Sequence, residues 1–313
     1  MYNIGIIGAG SMGLPHKEAI LKNSKCVVAA ICDIDILRAQ ALADGTDAGV
    51  YTDYKIMQQN EELDAVIINL PHYLHESVSI YFLEKGISVL VEKPMAMNTE
   101  ECKNMAHAAE KSGAYIAVGH VQKYYPCYRE LKKIIDEERM GRLCLMTETR
   151  NGDYFTNRPA WFLEKKKAGG GIVMNYCAHT LDKLFYLVDA EVTQICANVD
   201  NLLNDCDVEA QAQILLKMSN GVSASFSYCS SRINYSYETY FYFTDGIAKI
   251  ENGMYLWLAR KGEELKKAEL DYEQSVIELQ MIEFIKLLDG DSSEVVQPEV
   301  GTKVISVLEK ILD

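Results

Sequence analysis

The sequence predicts an α/β protein of two domains, a doubly wound parallel sheet followed by a domain that contains an antiparallel sheet. Three observations carry this expectation. Short apolar runs alternate with helix-length segments through the N-terminal part of the chain, the pattern of strands joined by crossover helices. A loop of sequence Gly8-Ala9-Gly10-Ser11-Met12-Gly13 lies between the first such run and the first helical segment. Beyond Val192 the hydrophobic period changes from 3.6 to 2, which marks strands with one buried face. With 313 residues, the chain is long enough to bury two cores.

Residues 3–7 read as the first strand, and the glycine loop follows at once, before a helix that runs to Leu21. In a strand–loop–helix context the first glycine permits the tight turn, the second lets backbone approach a pyrophosphate, and the third allows close helix–strand packing. The helix N-terminus adds unpaired N–H groups and a partial positive charge. A second strand, 27–31, leads to Asp33, about 20 residues beyond the loop, where an acidic side chain accepts hydrogen bonds from the ribose hydroxyls. Its carboxylate repels a 2′-phosphate and no arginine follows directly, so the expected cofactor is NAD rather than NADP. A third strand, 64–70, is broken at its carboxyl end by Pro71, beside the glycine loop in the usual strand order. Leu70 and Pro71 are thereby candidate cofactor contacts. His75 either contacts the cofactor or opens the next helix, 76–85, which Gly86 ends. Val89, Leu90 and Val91 form a buried parallel strand that stops abruptly in Glu92-Lys93-Pro94. Ligands of open α/β sheets bind beyond the carboxyl ends of strands, which puts Lys93 where chemistry is done. A helix at 99–111 and a strand at 115–118 complete the first domain, residues 1–121.

The second domain, 122–313, begins with Tyr124-Tyr125-Pro126 and a helix that places Tyr128, Leu131 and Ile135 on one side. A strand at 143–149 precedes a loop carrying Tyr154, Arg158 and Trp161. Aromatic rings mixed with arginine suit a polyol; Arg158 is the expected contact and Trp161 the expected core plug. Gly169-Gly170-Gly171 then opens an apolar helix, 172–187. At about 100° per residue, Met174, Cys177, Leu181, Leu184, Phe185 and Val188 gather on one side, and Asn175, His179 and Asp182 on the other. A surface helix would carry lysine and glutamate there, whereas three compact hydrogen-bonding groups suit a lined cleft. Further on, Val208, Ala210, Ala212, Ile214, Leu216 and Met218 alternate with polar residues that include Glu209. Asn220-Gly221 turns this strand into Val222, Ala224, Phe226 and Tyr228. Residues 235–244 are aromatic on both faces, with Tyr235, Tyr237, Phe241 and Phe243 on one and Tyr240 and Tyr242 on the other. Two helices, 274–288 and 299–312, close the chain.

Composition excludes several classes. With 31 basic against 45 acidic side chains the net charge is −14, and Lys165-Lys166-Lys167 is the only basic cluster, so neither nucleic acid nor an anionic membrane is an expected partner. No apolar run has the length of a membrane span, and the N-terminus enters a strand without a targeting segment. Nine cysteines without a C-x-x-C pair fit a reduced, cytoplasmic setting and offer no metal framework.

The order of glycine loop, acidic strand end, Pro71 with His75, Glu92-Lys93-Pro94, then Gly169-Gly170-Gly171 with His179 resembles the Gfo/Idh/MocA oxidoreductases over essentially the whole chain. That resemblance implies a Rossmann domain followed by an α/β domain with a large, open, mostly antiparallel sheet. It implies catalytic roles for Lys93 and His179, a cis peptide at Lys93–Pro94, and sugars, cyclitols or related polyols as substrates. Asn175 stands where the family usually has aspartate, and Lys123 where it tends to have arginine. Gln122, Arg158, Asn175 and His179 make up the expected substrate side, while Glu92 and Lys93 also border the cofactor. Oxidising a secondary alcohol needs a hydride acceptor, a base and a group that stabilises charge on oxygen; His179 and Lys93 suit the last two. Two other readings stay open, a lyase or glycosidase that uses NAD for transient oxidation and a non-catalytic cofactor-binding regulator. The aromatic strand at 235–244 further predicts a homodimer or homotetramer joined through the open sheet face.

Overall fold

The computed structural model describes residues 1–202, 205–231 and 235–313, which fall into two compact units. The first comprises Met1–Val121 and Gln274–Ile305. Its strands are β1 (Tyr2–Ile7), β2 (Cys26–Cys32), β3 (Gly49–Tyr51), β4 (Ala65–Ile68), β5 (Ser88–Val91) and β6 (Ile116–Val118). They form one parallel sheet in the order β3-β2-β1-β4-β5-β6, the doubly wound arrangement. Helices α1 (Gly13–Leu21), α2 (Ile36–Ala43), α3 (Tyr54–Asn60), α4 (His75–Leu83) and α5 (Thr99–Ser112) are the crossovers. Burial of β4 and β5 on both faces explains why their sequences are continuous apolar runs rather than alternating ones.

The expected continuous second domain, 122–313, is interrupted, because Gln274–Ile305 belongs to the first unit. The cause is apolar packing. Met281, Phe284 and Ile285, with Val295, share one buried cluster with Ile4, Ile6, Leu90 and Ala117 of the parallel sheet. Val296 also bridges to Val118 at the sheet edge.

The second unit comprises Gln122–Glu273 and Ser306–Asp313. Its helices are α6 (Pro126–Asp136), α7 (Lys165–Ala168) and α8 (Ala178–Leu187). Its strands are β7 (Leu143–Asn151), β8 (Val192–Asp200), β9 (Gln211–Met218), β10 (Ser223–Cys229), β11 (Ser236–Phe243), β12 (Gly246–Glu251), β13 (Tyr255–Arg260) and β14 (Lys266–Lys267). The eight strands form one sheet, β14-β13-β12-β11-β7-β10-β9-β8, antiparallel except where β7 pairs with β10. Helices α9 (Val276–Leu288) and α10 (Pro298–Leu312) close the chain.

Alternation along β11 buries Tyr237, Phe241 and Phe243 and turns Tyr240 and Tyr242 to the other face, where their rings stack 6.1 Å apart. Tyr235, expected beside Tyr237, precedes the strand and is exposed. On the outer face Tyr242 is 38% exposed and Leu215 58%.

Candidate functional site

In the first unit the carboxyl ends of the strands line up. Cys32, Ile7, Ile68, Val91 and Val118 are successive register partners, so the residues that follow each strand leave the sheet along one edge. That edge presents the glycine loop, Asp33, Leu70 with Pro71, and Glu92 with Lys93 together. Gly8 has φ of +97°, and a side chain there would collide with the Asn69 carbonyl. A methyl on Gly13 would strike Leu42, so this glycine permits the close approach of α1 to α2. Over Gly10 there is open space within 4 Å, and Gly10 and Ser11 are exposed while Met12 is half-buried. A pyrophosphate fits this cradle, with the α1 N-terminus behind it.

Asp33 helps to build the loop that it adjoins. Its Oδ2 accepts the Ala9 N–H at 2.8 Å and its Oδ1 the Asp35 N–H at 2.9 Å. A carboxylate has about four lone-pair sites, so acceptor capacity remains for ribose hydroxyls. Beyond β5 the Lys93–Pro94 peptide is cis, as the resemblance implied. His16, on α1, lies 2.9 Å from Oε1 of Glu92, and the Lys93 N–H donates to Oε2. Burial pushes the Glu92 carboxyl upward, but the hydrogen bond and charge of His16, together with the charge and backbone N–H of Lys93, hold the group below its ordinary 4.5. His16 was not found by sequence reasoning, because nothing in its local pattern marks a contact with a strand 76 residues away.

Of the two alternatives for His75, the structure shows the one in which it opens the next helix. It opens α4, is fully buried, and its two ring nitrogens lie 3.0 Å from the Pro94 carbonyl and 2.8 Å from the Leu70 carbonyl. Burial drives its imidazole below the ordinary 6.5 despite those carbonyls. The ring braces the Leu70 and Pro94 carbonyls.

In the second unit the helix carrying Asn175 and His179 is not uniform. Val173–Cys177 is a π-helical turn, and α8 follows. Widened turns of this kind are frequent at functional sites. The helical-wheel expectation therefore fails in detail. The segment is buried nearly all round, Asp182 is only 2% exposed, and of the three polar residues only His179 is half-buried. The glycines before it make room for Glu209, since a side chain on Gly171 would meet the Glu209 backbone and one on Gly170 its carboxylate. Glu209 accepts the Gly171 N–H at 2.6 Å and the Val173 N–H at 2.9 Å, capping the helix from the segment just before β9. It had been expected on an outward face, but the alternation of β9 begins only at Gln211. Burial pushes the Glu209 carboxyl upward against those hydrogen bonds.

Behind His179 lies a buried polar network. Lys183 donates to Oε2 of Glu148 at 2.8 Å and also to the Tyr237 hydroxyl, with its Nζ 5.3 Å from the Tyr128 ring centroid. Thr180 donates to Oε1 of Glu148, Thr239 to Oε2 at 2.9 Å, and Tyr228 to Thr180 at 2.8 Å. Burial alone would raise the Glu148 pKa, but the charge and hydrogen bond of Lys183, with those of Thr180 and Thr239, hold it below 4.5. Burial alone would lower the Lys183 pKa, and Glu148 holds it above 10.5. A signal for this pair existed, since Lys183 is a lone lysine in an apolar helix four residues beyond His179. Its partner was beyond reach of any local pattern.

Asn175 is buried and shares a side-chain hydrogen bond with the Tyr154 hydroxyl. The Tyr154 ring meets Tyr176 edge-on at 5.6 Å. Arg158 donates from Nε to the Tyr154 carbonyl at 3.0 Å and lies 4.5 Å from that ring's centroid. Trp161 stacks on Phe162 at 3.8 Å. Gln122 opens a short helical turn, Gln122–Tyr124, and is half-buried. Among the described residues there is no cluster of three or more His, Cys, Asp or Glu able to hold a metal, and no helix long and apolar enough to cross a membrane.

A parallel sheet with a dinucleotide-type cradle at its carboxyl edge, followed by a second sheet domain, defines a two-domain protein of the nucleotide-binding class. Residues 2–120 match the oxidoreductase family with NAD-binding Rossmann fold, and residues 128–249 the GFO/IDH/MocA C-terminal domain. The chain belongs to the Gfo/Idh/MocA family of NAD-binding oxidoreductases. It is 30% identical over 227 residues to 1-carboxy-3-chloro-3,4-dihydroxycyclohexa-1,5-diene dehydrogenase of Comamonas testosteroni, covering 72% of this chain and 57% of that protein. The chain thus spans little more than half the length of that relative. An inositol 2-dehydrogenase of Arthrobacter sp. (strain FB24) is 26% identical over 79% of this chain and 73% of its own. Levoglucosan dehydrogenase, solved with NADH and L-sorbose, shares the fold with a TM-score of 0.89 at 19% identity, covering 99% of this chain and 95% of that one.

The Glu148–Lys183 pair generates a stability prediction. Glu148→Gln or Lys183→Met alone strands a buried charge and costs about 3–5 kcal/mol, whereas the double variant loses much less. Because the Glu148 pKa is depressed, its contribution is present above pH 4.5 and is lost as pH falls through the folded value. Urea unfolding measured down the acid range checks both points, and the double variant should lack this part of the acid dependence.

Proposed function

We propose that this protein is an NAD-dependent dehydrogenase acting on a secondary alcohol of a sugar, cyclitol or related polyol. The observation that carries the reading is the shared sheet edge that presents the glycine loop, Asp33 and Lys93 side by side. The relatives' names, one for an inositol and one for a dihydroxylated carbocycle, support a ring-borne secondary hydroxyl as the reacting group.

A bound nicotinamide cofactor supplies the hydride acceptor. Gly10 and the N–H groups at the start of α1 hold the pyrophosphate, and the remaining lone pairs of Asp33 accept the ribose hydroxyls. Lys93 donates a hydrogen bond to the substrate oxygen and stabilises the negative charge that develops there. His179 takes the hydroxyl proton at a ring nitrogen. Asn175 orients a substrate hydroxyl without adding charge. Glu92, held ionised by His16, anchors the backbone of Lys93. The outer face of the second sheet, with Tyr240, Tyr242 and Leu215, packs against a second copy in a dimer or a dimer of dimers.

A screen of polyols for accumulation of reduced nicotinamide tests the reading. Lys93→Ala and His179→Ala should each lower kcat by about 100-fold or more while NAD affinity stays within about threefold. Retention of most turnover by His179→Ala would move the base elsewhere.

NAD should bind more tightly than NADP, and Asp33→Ala should erode the preference mainly by weakening NAD. Equal affinities in the native protein would refute the assignment of Asp33.

Light scattering after size exclusion should report at least twice the chain mass of 35.2 kDa, reduced to the monomer by Tyr242→Glu. A monomeric native protein would remove the interface.

A further inference from the structure

Two guanidinium groups flank Asn175 without an anionic partner. Arg150, on β7, lies 3.7 Å from the Tyr176 ring centroid and 4.9 Å from that of Tyr237. Arg158 lies 4.5 Å from the Tyr154 centroid and 4.9 Å from that of Phe162. The two stacks meet where Tyr154 and Tyr176 touch edge-on, and Tyr154 is hydrogen-bonded to Asn175. Arg158, Tyr154, Tyr176 and Arg150 therefore form one chain of contacts with Asn175 attached at its middle.

Among the described residues neither arginine has a carboxylate within ion-pair distance, and the enclosed Nε of Arg150 meets no protein acceptor. Two buried carboxylates of this unit are committed elsewhere. Glu148 is held by Lys183, and Glu209 by the Gly171 and Val173 N–H groups. Stacking on tyrosine occupies the face of a guanidinium and leaves its terminal N–H groups to donate, beyond the one bond from the Arg158 Nε to the Tyr154 carbonyl. Each guanidinium is half-buried, so an anion that reaches it displaces little water and meets a preformed fork. By the family resemblance, Asn175 is neutral where an aspartate is usual.

We propose that the substrate carries a carboxylate, as a hexonate, hexuronate or carboxylated cyclitol does, and that Arg158 and Arg150 bind it. This inference rests on the polyol-dehydrogenase reading and names its substrate class. A substrate carboxylate meets a planar N–H fork bidentately. A phosphate ester brings about two charges to the same fork. The reacting hydroxyl remains on a different carbon, and the carboxylate takes no part in proton or hydride transfer.

Calorimetric titration of the NADH-loaded protein with a panel of hexonates and hexuronates, each paired with its neutral parent sugar and its phosphate ester, tests the proposal. At least one acid should bind about tenfold or more tightly than both its counterparts, as a charge-assisted contact requires. Arg158→Met and Arg150→Met should each remove that advantage with NADH affinity unchanged, and Arg158→Lys should restore only part of it. Asn175→Asp, which supplies an internal anion, should weaken the acid more than the neutral sugar. A panel in which no acid outbinds its neutral parent, or in which the phosphate ester binds best, overturns the proposal. The dehydrogenase reading fails separately, if no member of the panel reduces NAD.

Discussion

A charge pair in a dry interface fixes the helix that bears Asn175 and His179. Apolar packing is non-directional, and a helix buried on nearly every side gains little from any one rotation. The bonds from Lys183 and Thr180 to Glu148 have direction, and they tie the helix to β7 one residue and four residues beyond His179. Tyr237, Thr239 and Tyr228 extend the tie to the strands on either side. At the other end Glu209 takes the first N–H groups, and the bare glycines let it do so. A buried pair of this kind adds little net stability compared with apolar residues of equal volume, so geometry is its main product. The π turn between the two anchors carries Asn175.

The first unit solves a different problem. Parallel strands place all their carboxyl ends on one edge, and the register from Cys32 through Val118 makes that edge continuous. Backbone forms the open cradle over Gly10, the Asp33 carboxylate adjoins it, and Lys93 follows the strand whose end Glu92 and His16 brace. Few side chains are needed because strand ends and a helix N-terminus already point their polar groups outward.

What was legible in the sequence was local. The glycine loop, Asp33, Glu92-Lys93-Pro94 and the strand alternation of β9 and β10 each lie within a short window whose chemistry states its own purpose. What escaped depended on distant partners. Residues 274–305 join the first unit because Phe284 and Ile285 complete a core set by β1 and β5, which no window of the sequence contains. His75 looked like a ligand residue because a histidine after a strand end has the same sequence signature whether it faces a cofactor or a carbonyl. The uniform wheel misread the Asn175 helix because a single widened turn rotates everything after it. Glu148 gave no sign that it pairs with Lys183, 35 residues on.

The account stands on net transfer of hydride from substrate to nicotinamide. Its most direct test supplies a turned-over polyol or sugar acid carrying deuterium on the carbinol carbon, with NAD, and reads the isolated cofactor by mass spectrometry. The account predicts reduced nicotinamide carrying one deuterium for each alcohol oxidised, with the matching ketone formed in equal amount. Cofactor recovered as NAD while the substrate is eliminated, hydrolysed or left intact would contradict it.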